Sequence, residues 1–301
     1  MTALARINQE AFSNPYQLPD GNVQIAFSGG RTSGMMLHNI IRANQPWPAD
    51  RVKIIFTNTG KERDETLDFV RDCGDWWGVD IEWLEYRCRW TGAAHNPKEK
   101  IFDSAAHSFE VVSYETASRK GEPFLQLIDY FGFLPNRVAD FCSHNLKSRT
   151  ARRYCVSQGW KHWTTAIGIR HDEQKRVLKQ QPRERYRVWY PLNEAEQTAL
   201  DVSFFWMMQP FDLRLPNLNG TTPSGNCDGC FKKSERKRAE FARLEWERAE
   251  WWADLERQYG GTFDKTTSWD ELKSYINRQG DWLFEENDAL CQRDGGECSP
   301  W

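Results

Sequence analysis

Cys227-Asp228-Gly229-Cys230 is a cysteine pair with two residues between, and Cys142 stands 227 − 142 = 85 positions before it. Thiolates at a C-x-x-C spacing bind a soft metal or a metal–sulfur core, because the tight turn aims both sulfurs at one point. The chain carries eight cysteines, at positions 73, 88, 142, 155, 227, 230, 291 and 298. A second stretch with chemistry in it is Ser28-Gly29-Gly30-Arg31-Thr32-Ser33. A glycine-rich turn that opens a helix presents backbone N–H groups and the positive end of the helix dipole, which together cradle phosphate or sulfate. Ser28, Thr32 and Ser33 add hydroxyls, and Arg31 adds a fixed charge with a fork suited to an oxyanion. Lys147 and Arg149 follow Cys142, while Lys232 and Lys233 follow Cys230, so an electropositive rim beside the thiols is expected. His144 and His171 read as structural, and the basic residues interleaved with glutamates from Lys237 to Arg248 read as a solvated helix face.

The elements that must position these residues alternate. Residues 23–27 read as an apolar strand, 33–43 as a helix, 52–56 as a second strand, 64–73 as a second helix and 81–84 as a third strand. That alternation implies a parallel sheet with crossover helices, whose ligands bind at the carboxyl ends of the strands. A helix is expected over about 145–156, which turns Cys155 away from Cys142, and a further strand over 163–167, ending in Gly168-Ile169-Arg170. Residues 86–141 are less regular and read as an insertion or lid. One long helix is expected from about Ser234 to Tyr259, stopped by Gly260-Gly261, and Ser268-Trp269-Asp270-Glu271 has capping-box spacing. The fifteen tryptophans, Cys73 and Cys88 are assigned to packing.

The formal charge of −3 advertises no field for nucleic acid. No apolar run approaches the ~20 residues that span a bilayer. The opening MTALARINQEAF lacks the apolar core of a signal peptide, so a cytoplasmic location is expected, where cysteine clusters bind metal or do redox chemistry more often than they form disulfides.

Taken in order, several short motifs resemble the phosphoadenosine phosphosulfate (PAPS) reductase family, within the wider group of PP-loop adenine-nucleotide α-hydrolase-like folds. SGGRTS is similar to that group's SGG-x-D-S loop. Thr57-Asn58-Thr59-Gly60, followed by Glu65-Thr66, resembles its DTG…ET segment. Gly168-Ile169-Arg170-His171-Asp172-Glu173, with Arg176 beyond, is similar to its G-x-R…E-S…R stretch. Pro191-Leu192 and Asp201-Val202 resemble its PL…DV segment. Cys142 and the Cys227–Cys230 pair resemble the cysteine sets of the iron–sulfur members, with one cysteine of the first pair lost.

The resemblance covers roughly residues 22–235. It implies an α/β, Rossmann-like parallel sheet flanked by helices over 1–215, with a cysteine-containing helical region over 216–301. It implies adenine-nucleotide contacts at Ser28, Gly29, Gly30, Arg31, Thr32, Ser33, Thr59, Gly60 and Gly168, and catalytic roles for Lys147, Arg170 and Arg176. A [4Fe–4S] cluster is implied at Cys142, Cys227 and Cys230. Cys298 is its fourth ligand or, from the Glu297-Cys298 dipeptide, the nucleophile, and Cys291 is the other tail candidate. A zinc site and buried free cysteines are the alternatives. Thr32 and Asn58 stand where ATP-cleaving relatives place acids that support Mg²⁺, which favours a sulfonucleotide over ATP. Arg31 then reads as direct charge on the anion.

Three functions stay open on sequence. The first is sulfonucleotide reduction, with a thiol donor such as thioredoxin and sulfite as product. The second is ATP-dependent sulfur transfer to a nucleic acid or small acceptor. The third is non-catalytic binding of a nucleotide or nucleic acid.

Overall fold

Alternation at a period of two sets the sheet. In β2 (Val52–Asn58), Ile54 and Phe56 enter one core while Ile55 between them enters another on the opposite face. In β3 (Ile81–Cys88), Trp83 and Leu84 divide in the same way. A strand buried on both faces is the mark of a parallel sheet covered by helices on each side. The structure, a computed structural model, describes residues 14–89, 106–177, 185–217, 222 and 224–278.

The sheet has six strands in the order β4-β3-β2-β1-β5-β6. β1 (Val23–Ala26) lies between β2 and β5 (Trp163–Ile167), parallel to both, with Val23 opposite Val52 and Thr164. β6 (Tyr186–Trp189) continues parallel on β5, and β4 (His107–Val112) pairs antiparallel with β3. The fold is therefore α/β and Rossmann-like, and its strand order turns at β1/β5, where such sheets receive ligands. β4 also means that the irregular stretch 86–141 contributes an edge strand, along with α3 (Glu122–Phe131).

α1 (Arg31–Ala43), α2 (Asp64–Trp77) and α6 (Ala199–Met207) cover one face, with Met36, Leu37, Phe69, Val70, Val202 and Trp206 in its core. α2 stops at Gly78, whose φ of 63° places it in the left-handed region, where glycine is the residue of least strain. The other face is covered by α4 (Thr150–Ser157), through Ala151, Tyr154 and Cys155. A π-helical turn over His144–Arg149 leads into α4, so the expected helix at 145–156 is present but begins wide. A 3-10 turn (His171–Arg176) follows β5, and a short α5 (Pro191–Glu194) follows β6.

The expected single helix over 234–259 is two: α7 (Glu235–Leu244) and α8 (Trp246–Tyr259). The break is Glu245, with φ −142° and ψ 54°, whose carboxylate holds Arg63 through two contacts of 2.5 Å. A tertiary ion pair thus overrides helical pattern. Gly260 at φ 63° ends α8, and the Ser268/Glu271 capping box opens α9 (Trp269–Arg278) with contacts of 2.8 and 3.2 Å. These helices share a core with α3, Cys142, Phe231, Trp252 and Trp269. Among the described residues no helix is long and apolar enough to cross a membrane.

Candidate functional site

The loop after β1 is shaped by close packing. Gly29 has φ 75°, and a Cβ there would lie 2.8 Å from Thr66 Cγ2 and 3.0 Å from Val70 Cγ2. Both the backbone angle and the space demand glycine. α1 starts at once, with Gly30 as its N-cap and no acid in its first turn, so its amides and dipole face the carboxyl edge of the sheet uncompensated. Ser33 organises the turn: its Oγ accepts from Ser28 N–H (3.2 Å), lies 2.9 Å from Ser28 Oγ, and donates to the Gly30 carbonyl (2.9 Å). From β5, Gly168 presses on this turn so closely that a Cβ would sit 3.1 Å from Ser33 Cα. Ser28, Gly29, Gly30, Ser33 and Gly168 are thus brought together at the β1/β5 edge.

Arg31 does not fill the role its type suggested. It is 2% exposed and turned away from the open side of the loop. Its Nε and Nη2 grip both carboxylate oxygens of Asp212 at 2.8 Å. Further N–H groups donate to the Leu213 carbonyl, the Leu215 carbonyl (2.7 Å) and the Thr222 hydroxyl (3.0 Å). The guanidinium fork is fully committed, so Arg31 is a strut holding 212–222 to the start of α1, not charge offered to a bound anion. Thr32 is also buried, and its hydroxyl accepts from Arg170 Nη1 at 3.1 Å. Arg170 and Arg176 converge on one buried carboxylate, Glu173: Arg170 Nη2 lies 3.6 Å from its Oε1, and Arg176 pairs with the same oxygen. Glu173 also accepts the Arg170 backbone N–H (3.1 Å), fixing the chain where it leaves β5.

At the end of β2, Asn58 is fully buried, and its Nδ2 donates to Glu85 Oε1 (2.6 Å) and the Ser118 carbonyl (2.8 Å). Its Oδ1 accepts the Gly60 N–H at 3.0 Å. An amide is required because Glu85 accepts; an acid would face another acid. Thr59 then joins the two candidate regions. Its hydroxyl donates to Glu62 Oε2 (2.8 Å) and lies 3.3 Å from Cys227 Sγ. The cysteine turn is held to the same loop by Asp228 N–H on the Lys61 carbonyl (3.0 Å).

Cys142, Cys227 and Cys230 line one small cavity of about 30 Å³, together with Lys147, Lys232 and Thr59. Cys155 lies apart, in the core on the other face of the sheet. Cys298 and Cys291 fall outside the described residues. Asp228, between the paired cysteines, is the hub below them: its carboxylate accepts from Gly229 N–H (2.8 Å), Trp252 Nε1 (2.9 Å) and Arg248 Nε (3.0 Å), and lies 3.6 Å from Lys61 Nζ. Lys147 Nζ lies 3.8 Å from Glu62 Oε1, a buried oxygen with no hydrogen bond among the described residues. Burial pushes the Cys227 thiol up, and the Glu62 carboxylate adds to this, while Lys147 opposes it. Burial pulls the Lys61 ammonium down against the pull of Asp228, and the Lys233 ammonium down against that of Cys230. The residues that sequence reasoning missed are Lys61, Glu62, Asp228 and Glu173. The acid between two cysteines carried a signal, since such a position is already in a tight turn, and so did Glu173, the acid of the G-x-R…E-S…R stretch.

No family model matches the chain. The uncharacterized nin region protein ORF290 of Escherichia phage lambda is 32% identical over 214 residues, which is 71% of this chain and 67% of that protein. A phosphoadenylyl-sulfate (PAPS) reductase from Candida auris, solved with phosphate, aligns over 68% of this chain and 76% of its own, with 16% identity and a TM-score of 0.35. The chain belongs to the family of the phage lambda protein ORF290.

Proposed function

We propose that this chain is a PAPS-reductase-like enzyme. It holds an adenine nucleotide at the carboxyl edge of β1, β2 and β5, and a thiolate-ligated metal group at Cys142, Cys227 and Cys230. The reaction is reduction of a sulfonucleotide, adenylyl sulfate or its 3′-phosphorylated form, with release of sulfite. The observation that carries this reading is Thr59: it leads the nucleotide edge at the end of β2, and its hydroxyl lies 3.3 Å from Cys227 Sγ. The end of β2, next to the loop after β1, is thereby tied to the cysteine turn, which supports one shared site.

The donor chemistry fits a thiophilic group, of the [4Fe–4S] kind or a zinc ion, since three cysteines are among the residues around one cavity that also has buried lysines. Among the described residues no three His, Cys, Asp or Glu side chains converge closely enough to hold a single ion as they stand. The fit thus rests on donor type and charge. When bound, such a group fixes its thiolates and places a polarising charge beside the sulfonate.

The chain's own residues divide the remaining work. The amides of 29–33, with the dipole of α1, take the phosphate or sulfate oxygens. Arg170 holds Thr32 in place, and Lys147 brings positive charge to the sulfonate side. A thiolate, from Cys298 or a dithiol donor, attacks the sulfur; the bond from sulfur to the phosphate oxygen breaks and the adenosine phosphate leaves. A second thiol then displaces sulfite from the thiosulfonate and leaves a disulfide, so the two electrons come from two thiols.

The test is anaerobic purification with iron and sulfide analysis, followed by incubation with each sulfonucleotide and a dithiol. Sulfite that depends on Cys227 supports the reading. Pyrophosphate from ATP–Mg²⁺, with no sulfite from either sulfonucleotide, overturns it in favour of ATP-dependent sulfur transfer.

A further inference from the structure

Four lysines lie buried around the cysteine turn: Lys147 and Lys232 line its cavity, while Lys61 and Lys233 hold Asp228 between the paired cysteines. Three have carboxylates. Lys61 has Asp228 at 3.6 Å, Lys147 has Glu62 at 3.8 Å, and Lys232 is paired with Asp140. Lys233 is different. It is 4% exposed, its ammonium donates to the Asp228 backbone carbonyl at 3.1 Å, and among the described residues no carboxylate pairs with it. Burying an ammonium without an ion pair costs several kcal/mol, and a neutral side chain of the same length would fill the space more cheaply. Asp228, whose backbone carbonyl takes the Lys233 ammonium, has its carboxylate already answering Lys61 and Arg248.

We infer that Lys233 is the counter-charge for a metal group ligated by Cys142, Cys227 and Cys230. This rests on the thiolate reading above. Each thiol gives its proton to solvent as its bond to the metal forms. Three thiolates around a core of about +2, whether a zinc ion or a [4Fe–4S]²⁺ core, leave a net charge of roughly −1 in a buried place. One ammonium cancels it. The three paired lysines already have their carboxylates, so Lys233 is the residue left to balance that charge. Metal-free, its charge is a liability; with the metal group bound, it completes neutrality.

The two states therefore predict effects of opposite sign, which a purely packing role does not. The experiment uses the full chain, stripped of metal under anaerobic conditions and titrated with Cd²⁺, read by thiolate-to-metal charge-transfer absorbance. Lys233→Met is compared with Lys233→Arg, which keeps the charge. Thermal unfolding of each metal-free protein is measured in parallel. Lys233→Met is expected to bind Cd²⁺ about tenfold more weakly, and Lys233→Arg within about threefold of the wild type. Metal-free Lys233→Met is expected to be at least as stable as the wild type. Equal Cd²⁺ affinity in Lys233→Met overturns the inference while leaving the thiolate reading intact. So does a loss of metal-free stability that accounts for the loss of binding. A wild-type chain that binds no Cd²⁺, or binds it equally well after Cys227→Ser, overturns both.

Discussion

Asn58→Asp puts back the acid found at this point in the DTG pattern that residues 57–60 resemble, and the structure says it is destabilising. Nδ2 of Asn58 stands 2.6 Å from Glu85 Oε1 in a fully buried setting, so the substitution sets a carboxylate oxygen against another at that distance. Losing a hydrogen bond to a charged acceptor costs about 1.5–3 kcal/mol. Keeping the introduced carboxyl protonated at pH 7, some three units above its ordinary value, costs roughly 4 kcal/mol more. The two overlap, because the shared proton restores part of the bond, so about 4–6 kcal/mol is expected. The assay is urea unfolding of wild type and variant at about pH 7.5 and about pH 5. The introduced carboxyl has its folded pKa raised above its unfolded value near 4, so its stability is fully present only below about pH 4 and is lost as pH rises through the folded pKa. The gap between variant and wild type must therefore narrow on going from pH 7.5 to pH 5. A variant within about 0.5 kcal/mol of wild type at both pH values refutes the assignment of Asn58 as an obligatory donor. Mg²⁺-dependent nucleotide binding gained at no cost in stability refutes it as well.

Other substitutions test other parts of the edge. Arg31→Lys loses the fork on Asp212 and is expected to lower unfolding stability by about 2–3 kcal/mol. Nucleotide affinity should stay within about threefold; a tenfold loss at unchanged stability would return Arg31 to the anion site. Gly29→Ala meets Thr66 Cγ2 at 2.8 Å with φ at 75°, and should cost about 2–3 kcal/mol by chemical denaturation. Adding Thr66→Ser removes that methyl and should recover part of the loss, whereas strictly additive effects would show that the contact is not the cause. Cys227 is half-buried, and burial with Glu62 beside it pushes its thiol up, so mass-resolved alkylation by iodoacetamide of the chain without metal should be slower there than at a free cysteine. Alkylation there as fast as at a free cysteine would contradict that shift.

What the sequence made legible is what local pattern encodes. The β1–loop–α1 turn, the alternation of the sheet and the C-x-x-C pair are each written within a dozen residues, and each stands in the structure. Direction was not legible. Arg31 announces a charge at the start of a helix, but its target, Asp212, lies 181 positions away, and nothing local says that the guanidinium faces inward. Asn58 reads as a lost acid until Glu85, 27 positions on, shows why an amide stands there. Glu62 and Lys61 drew no attention because their meaning is tertiary: each acquires it from Lys147 and Asp228. The helix expected over 234–259 failed for the same reason, at Glu245 and its pair with Arg63. The expected role of Cys298 lies outside the described residues.

The central claim is that the loop after β1 and the thiols beside Thr59 serve one sulfonucleotide. Anaerobic calorimetry of the full chain with adenylyl sulfate, its 3′-phosphorylated form and ATP–Mg²⁺ tests it most directly. One site per chain for a sulfonucleotide, formed without Mg²⁺ and weakened by Thr59→Val, is the expected result. Binding of ATP–Mg²⁺ alone, or of no nucleotide at all, would contradict it.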